Sequence, residues 1–131
     1  MGDRLSEDGG VTESSYSVED GEDGVIRATV EAGWMTKPVA KAMCADIEKA
    51  AAKHPGTARL MLDAGAMSKA TPAAGMYAMK SIKRLNLKGV ALYRANGFMR
   101  SFARTVMRLA RFGRFGLFRD ESGAREWLEE S

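Results

Sequence analysis

The run TARLMLD, residues 57–63, decides the fold. Leu60, Met61 and Leu62 follow one another without a polar residue, after the helix-stopping HPG at 54–56 and before Asp63. A strand with one wet face alternates apolar and polar side chains. An unbroken apolar run of this length is expected of a central strand covered on both faces. KGVALYR, residues 88–94, has the same character. Two such strands with a helical stretch between them imply a βαβ crossover, and hence a parallel pair.

The same pattern extends outward in both directions. SYSVEDGEDGVIRATVEAG (15–33) reads as two short strands around an acidic glycine turn, a leading antiparallel hairpin. In it Val25, Arg27 and Thr29 alternate with Ile26, Ala28 and Val30, as in a half-buried strand. MTKPVAKAMCADIEKAAAKHPG (35–56) is a helix. Thr36 can cap it, Pro38 lies in its first turn, and Val39, Met43, Ile47 and Ala50 recur at helical spacing as its buried face. A second helix is expected from about Thr71 to Lys83, where Thr71-Pro72 reads as an N-cap and first helical residue. NGFMRSFARTVMRLARFG (96–113) forms a third helix, RFGLF (114–118) a short strand and ESGAREWLEES (121–131) a last helix. The order β-β-α-β-α-β-α-β-α gives an α/β fold: one domain with a mostly parallel mixed sheet, an antiparallel N-terminal hairpin and about four helices. Residues 1–14, polar and glycine-rich, are expected to be a disordered acidic arm, and residues 15–131 the domain.

Composition narrows the function classes. The chain has 131 residues, 45% of them hydrophobic, enough for one core. No apolar run approaches the roughly 18 residues of a membrane-spanning helix. The polar, acidic start is unlike a secretory signal peptide. MGDRLS matches the M-G-x-x-x-S myristoylation pattern, but that pattern is a weak signal and an ordinary N-terminus is the simpler reading. One cysteine, Cys44, suits a reducing cytoplasm, and one histidine, His54, leaves no multi-histidine metal site. The net charge of +3 is unevenly spread. Residues 1–31 hold nine acids against two bases, residues 32–118 sixteen bases against three acids, and the tail from Arg119 five acids against two bases. An acidic arm therefore precedes a basic body, which that arm could shield as readily as a partner could.

ARLMLD with its loop and helix, then GVALYRANGFMRSFARTVMR, then FGLFRDESGAREWLEE together resemble the STAS superfamily, in particular its SpoIIAA-like (STAS/SEC14) branch. The resemblance covers about residues 16–130 and implies a small non-catalytic domain that works by binding. Relatives that act as anti-sigma-factor antagonists are switched by phosphorylation in an Asp-Ser-Ser or Asp-Ser-Thr stretch after the second core strand. The matching segment here is DAGAMSKATPAAG (63–75), which puts Ala70 at the usual acceptor position and leaves Thr71 as a hydroxyl beside it.

Catalytic constellations are not found. Ser68 and Thr71 have only His54 as a conceivable base, and KHPG places that histidine at a helix end, where it suits the last carbonyls. Asp63 ends a central strand, where open α/β sheets place ligand crevices, but it stands as a lone carboxylate. No glycine pattern fits a phosphate loop. Cys44 lies beside the first helix's apolar face and reads as a small hydrophobe. The expectation is a protein that is not an enzyme and carries no cofactor.

The third helix carries the strongest functional signal. Projected at 100° per residue from Met99, the residues Met99, Phe102, Ala103, Val106, Met107, Leu109 and Ala110 occupy an arc from about 280° to 80°. Arg100, Arg104, Arg108 and Arg111 fall together between about 100° and 180°. They form a single basic stripe that no acid on the helix relieves, and with Arg114, just beyond the helix, they are the candidate residues for binding a partner or anion. Three readings stand: plain solvation or contact with the acidic arm, docking on an acidic protein partner or anionic membrane surface, and nucleic-acid binding, the least supported. The resemblance adds an alternative, a carrier holding a lipid or small apolar ligand between a mobile helix and the sheet. Met61, Met67, Met76, Met79, Met99, Phe102 and Met107 are the lining candidates. Asp63, Ser68, Thr71 and Asn96 are the ligand-loop candidates. A homodimer is compatible with an exposed apolar helix face.

Overall fold

The computed structural model describes residues 16–21, 23–31, 33–110 and 114–130. The acidic arm at 1–14 lies outside them. The hairpin forms as expected: β1 (Tyr16–Asp20) pairs antiparallel with β2 (Val25–Val30), Tyr16 opposite Val30. Gly24, at φ 84°, takes the left-handed conformation that the turn requires. A two-residue strand β3 (Trp34–Met35) leads into α1 (Lys37–Ala51). Next come β4 (Arg59–Asp63), a two-residue β5 (Lys69–Ala70), α2 (Pro72–Arg84), β6 (Gly89–Tyr93), α3 (Gly97–Ala110), β7 (Phe115–Phe118) and α4 (Glu121–Glu129). The main sheet has the order β1-β2-β4-β6-β7, parallel throughout except for β1.

The crossovers β2→β4, β4→β6 and β6→β7 all step in the same direction across this sheet. Crossovers of one hand then place their helices on one face. α1, α2 and α3 indeed pack side by side, and α4 covers β6, β7 and β4 from the other side. Strand alternation divides the core accordingly. Ile26, Ala28, Val30, Leu60, Leu62, Val90 and Leu92 face the three helices. Val25, Met61, Ala91 and Tyr93 face α4, packed with its Ala124 and Leu128. The apolar runs that suggested strands covered on both faces are covered on both faces.

Two local expectations are corrected. Thr36 precedes α1 but its side chain makes no capping hydrogen bond, and its hydroxyl is buried without a partner among the described residues. His54 does not turn to the helix-end carbonyls; its Nε2 lies 2.9 Å from Asp20 Oδ1, and Lys53 approaches the other carboxylate oxygen at 3.6 Å. The short strands β3 and β5 pair parallel, Trp34 with Lys69 and Met35 with Ala70, in a ledge at the C-terminal end of the main strands.

Candidate binding surface

α3 is positioned by Asn96. Its Oδ1 accepts the Met99 N–H at 2.8 Å, an N-cap, while its Nδ2 donates to the Ser68 carbonyl at 3.2 Å. Ser68 Oγ and its backbone N–H both donate to the Gly33 carbonyl, at 2.9 and 2.8 Å. The loops after β2, β4 and β6 are thereby tied into one platform. Thr71 Oγ1 accepts the Ala74 N–H at 3.1 Å and caps α2. Ser68, Thr71 and Asn96 thus come together at one end of the sheet, each holding local structure there.

Asp63 completes this end as a single carboxylate held by local partners. Arg94 Nε and Nη2 donate to its two oxygens at 3.0 and 2.9 Å, and the Gly65 N–H adds a third bond at 2.9 Å. Arg94 holds φ 65°, a left-handed conformation uncommon for a side chain of this size. The bond to Asp63, and then its charge, raises the Arg94 pKa above its ordinary value. The Tyr93 phenol is also raised, by burial first and then by the charges of Asp63 and Glu121. Arg27 pairs with Glu121 alongside. Arg94 carried no signal in the sequence, because nothing in a strand-ending arginine shows that it will turn back onto its neighbour.

The apolar arc of α3 packs through its centre. Met99, Ala103 and Val106 are buried, and Phe102 is half-buried against α2. A Cβ at Gly75 would lie 2.5 Å from the Phe102 ring, so glycine permits this close approach. The two ends of the arc behave differently. Leu109 is 68% exposed, a correction to its place in the buried face, and Met107 is only half-buried. Phe98 is 55% exposed and stacks on Phe102 at 6.1 Å between centroids. Trp34, 48% exposed, has Lys69 Nζ 4.7 Å above its ring.

Arg104, Arg108 and Arg114 are exposed and Arg100 is half-buried; Arg111 lies outside the described residues. Among the described residues none of these four arginines forms an ion pair. Between α2, α3 and the sheet lies an apolar cavity of about 70 Å³, lined by Met67, Met79, Met99, Phe102, Val106 and Phe115 among others. Three of the expected lining residues are elsewhere. Met61 faces α4 on the opposite side of the sheet, because β alternation separates it from Leu60 and Leu62. Met76 packs on the core outside the cavity, and Met107 does not line it.

Cys44 is buried, and that burial pushes its thiol up to about 11, with Ser81 and Arg84 pulling weakly the other way. Among the described residues, no three His, Cys, Asp or Glu side chains converge as a metal site would need. No described helix is long and apolar enough to cross a membrane.

No family model matches the chain, and no curated protein matches its sequence. Solved structures do match. The anti-sigma factor antagonist SpoIIAA in its unphosphorylated form superimposes with a TM-score of 0.63 at 13% identity, over 88% of this chain and 99% of that one. An uncharacterised DUF3478 protein with a SpoIIAA-like fold, from Shewanella loihica, gives 0.58 at 19% identity, over 86% and 91%. The chain has a SpoIIAA-like α/β fold.

Proposed function

We propose that this protein is a non-catalytic binding module whose docking surface is the arginine face of α3, and that it takes an acidic protein partner. One observation carries the reading: Arg100, Arg104 and Arg108 line one side of a helix without an acid, and none meets a carboxylate among the described residues. Adjacent like charges repel unless an external anion relieves them. Exposed Phe98 and Leu109 on the same helix add apolar contact at its two ends. That SpoIIAA is an anti-sigma factor antagonist supports a protein partner in general. The proposal does not route through phosphorylation, since Ala70 lacks a hydroxyl and the Thr71 hydroxyl caps a helix. The lone cysteine favours a cytoplasmic setting.

The test is binding of an oligo-glutamate peptide to the wild type and to Arg104→Glu/Arg108→Glu, with circular dichroism confirming the fold. Loss in the double variant supports the reading, and unchanged binding contradicts it. Flotation with phosphatidylglycerol and phosphatidylcholine vesicles distinguishes a membrane surface from a protein partner as the acidic source.

A second reading, a carrier of a small apolar ligand, is favoured by the wholly apolar cavity beneath α3. At about 70 Å³ the space holds only a small group, so a longer chain requires α3 to move outward. Solvent extraction and mass spectrometry of the purified protein test it. A carrier keeps its ligand through the Arg104→Glu/Arg108→Glu change.

A further inference from the structure

The arginine face of α3 has a complementary segment within its own chain. Fifteen residues precede Tyr16, and they carry Asp3, Glu7, Asp8 and Glu13 against a single Arg4. Tyr16 pairs with Val30, the last residue of β2, so the chain enters β1 at the end of the sheet where the parallel strands finish. α3 begins at that same end, four residues after Tyr93 of β6. β1 and β6 are three strand spacings apart in the sheet order, roughly 15 Å. Fifteen residues can span up to roughly 50 Å, so reach is no obstacle.

Charge placement selects α3 over the other helices. α1 carries two lysines, Lys37 and Lys41, towards that end of the sheet, against three arginines along α3, and its second half adds Asp46 and Glu48 beside Lys49. α2 has no acid, yet its Lys80, Lys83 and Arg84 sit in its C-terminal half, towards the far end of the sheet. α3 has no acid, and its stripe starts with Arg100 in the first turn, next to the end at which the arm arrives.

We propose that residues 1–15 lie along the arginine face of α3 and compete in cis with an acidic partner for it. This rests on the reading of that face as the docking surface. A short tether gives an effective concentration in the millimolar range. Even weak, screened ion pairs are then occupied for part of the time, and the contact weakens with salt.

The full chain allows a direct test. Cys44 is 4% exposed with its thiol pushed up to about 11, so a nitroxide placed through Ser6→Cys labels the arm selectively. Line broadening of backbone amides is read at about 50 mM and about 500 mM salt. In parallel, oligo-glutamate binding is compared between the wild type and Asp3→Asn/Glu7→Gln/Asp8→Asn/Glu13→Gln. The expected result is broadening at residues 100–108 in excess of α1 and α4, abolished by salt, with roughly three- to tenfold tighter binding by the neutralised arm. Broadening centred elsewhere, none at all, or unchanged affinity in the neutralised variant overturns the proposal. If Arg104→Glu/Arg108→Glu leaves oligo-glutamate binding intact, the docking reading fails on its own, while the nitroxide still reports where the arm lies.

Discussion

Asp63 ends β4 in register with Tyr93, the last residue of the neighbouring parallel β6, and Arg94, the residue after that strand, turns back at φ 65° to give two N–H bonds to the Asp63 carboxylate. Gly65 lies beneath the guanidinium, where a Cβ would come within 2.8 Å of it. An exposed ion pair adds little to global stability. Its effect here is local, fixing the loop that leads to Ser68 and the chain that leads to α3. Asp63→Asn is expected to leave the melting temperature nearly unchanged and to speed amide hydrogen exchange at residues 64–69 and in the first turn of α3. Equal acceleration across β1 and α4 would contradict this local role.

Thr71 and Thr36 occupy equivalent positions before proline-led helices, and only Thr71 makes the capping bond. Thr71→Ala is expected to destabilise by about 1 kcal/mol in chemical denaturation. The Thr36 hydroxyl is buried without a partner among the described residues, so Thr36→Val, in a backbone of φ −101° that valine tolerates, is expected to be neutral or stabilising. Equal losses at both positions would remove the distinction.

Gly75 and Phe102 set how closely α2 and α3 approach. Alanine at 75 gains about 1 kcal/mol of helix propensity but places a Cβ 2.5 Å from the ring. Overpacking of this kind costs about 1–3 kcal/mol. Gly75→Ala is expected to lower the melting temperature, and Gly75→Ala/Phe102→Leu to recover most of the loss. A single variant that melts higher than the wild type would show that α3 yields freely.

Most of the sheet was legible because its strands speak through long-range burial: RLMLD and GVALY are apolar on both faces since helices cover both. The helices were legible from period and punctuation, with Pro38, Pro72 and the HPG stop marking their limits. β3 and β5 were not, because two residues show no periodicity and their pairing joins positions 35 residues apart. The arginine face followed from helical projection, but the limits of burial did not. Leu109 and Met107 stand at the two edges of the apolar arc, and how far packing extends around a helix depends on its neighbours. Met61 was misassigned for a simpler reason, since its apolar character does not tell which of two buried faces it joins.

Cys44 gives a pH dependence with a definite sign. Its thiol rises from 9.0 to about 11 in the folded chain, so folding favours the protonated form. The associated stability is complete below pH 9 and is lost as the pH climbs through about 11, because the unfolded chain ionises first. Two units correspond to about 2–3 kcal/mol at most. Cys44→Ala is expected to shrink the fall in melting temperature between about pH 8.5 and pH 10.5, beside the contribution of Tyr93, whose phenol is raised as well. An identical fall in the variant would place the alkaline loss elsewhere.

The deciding measurement on the α3 face is the salt dependence of oligo-glutamate affinity, wild type against Arg104→Glu/Arg108→Glu. A docking surface made by the α3 stripe predicts binding at low ionic strength that falls steeply with salt and is lost in the double variant, whose fold is intact. Equal affinity in the two proteins, or affinity indifferent to salt, would contradict the assignment of that face as the docking surface.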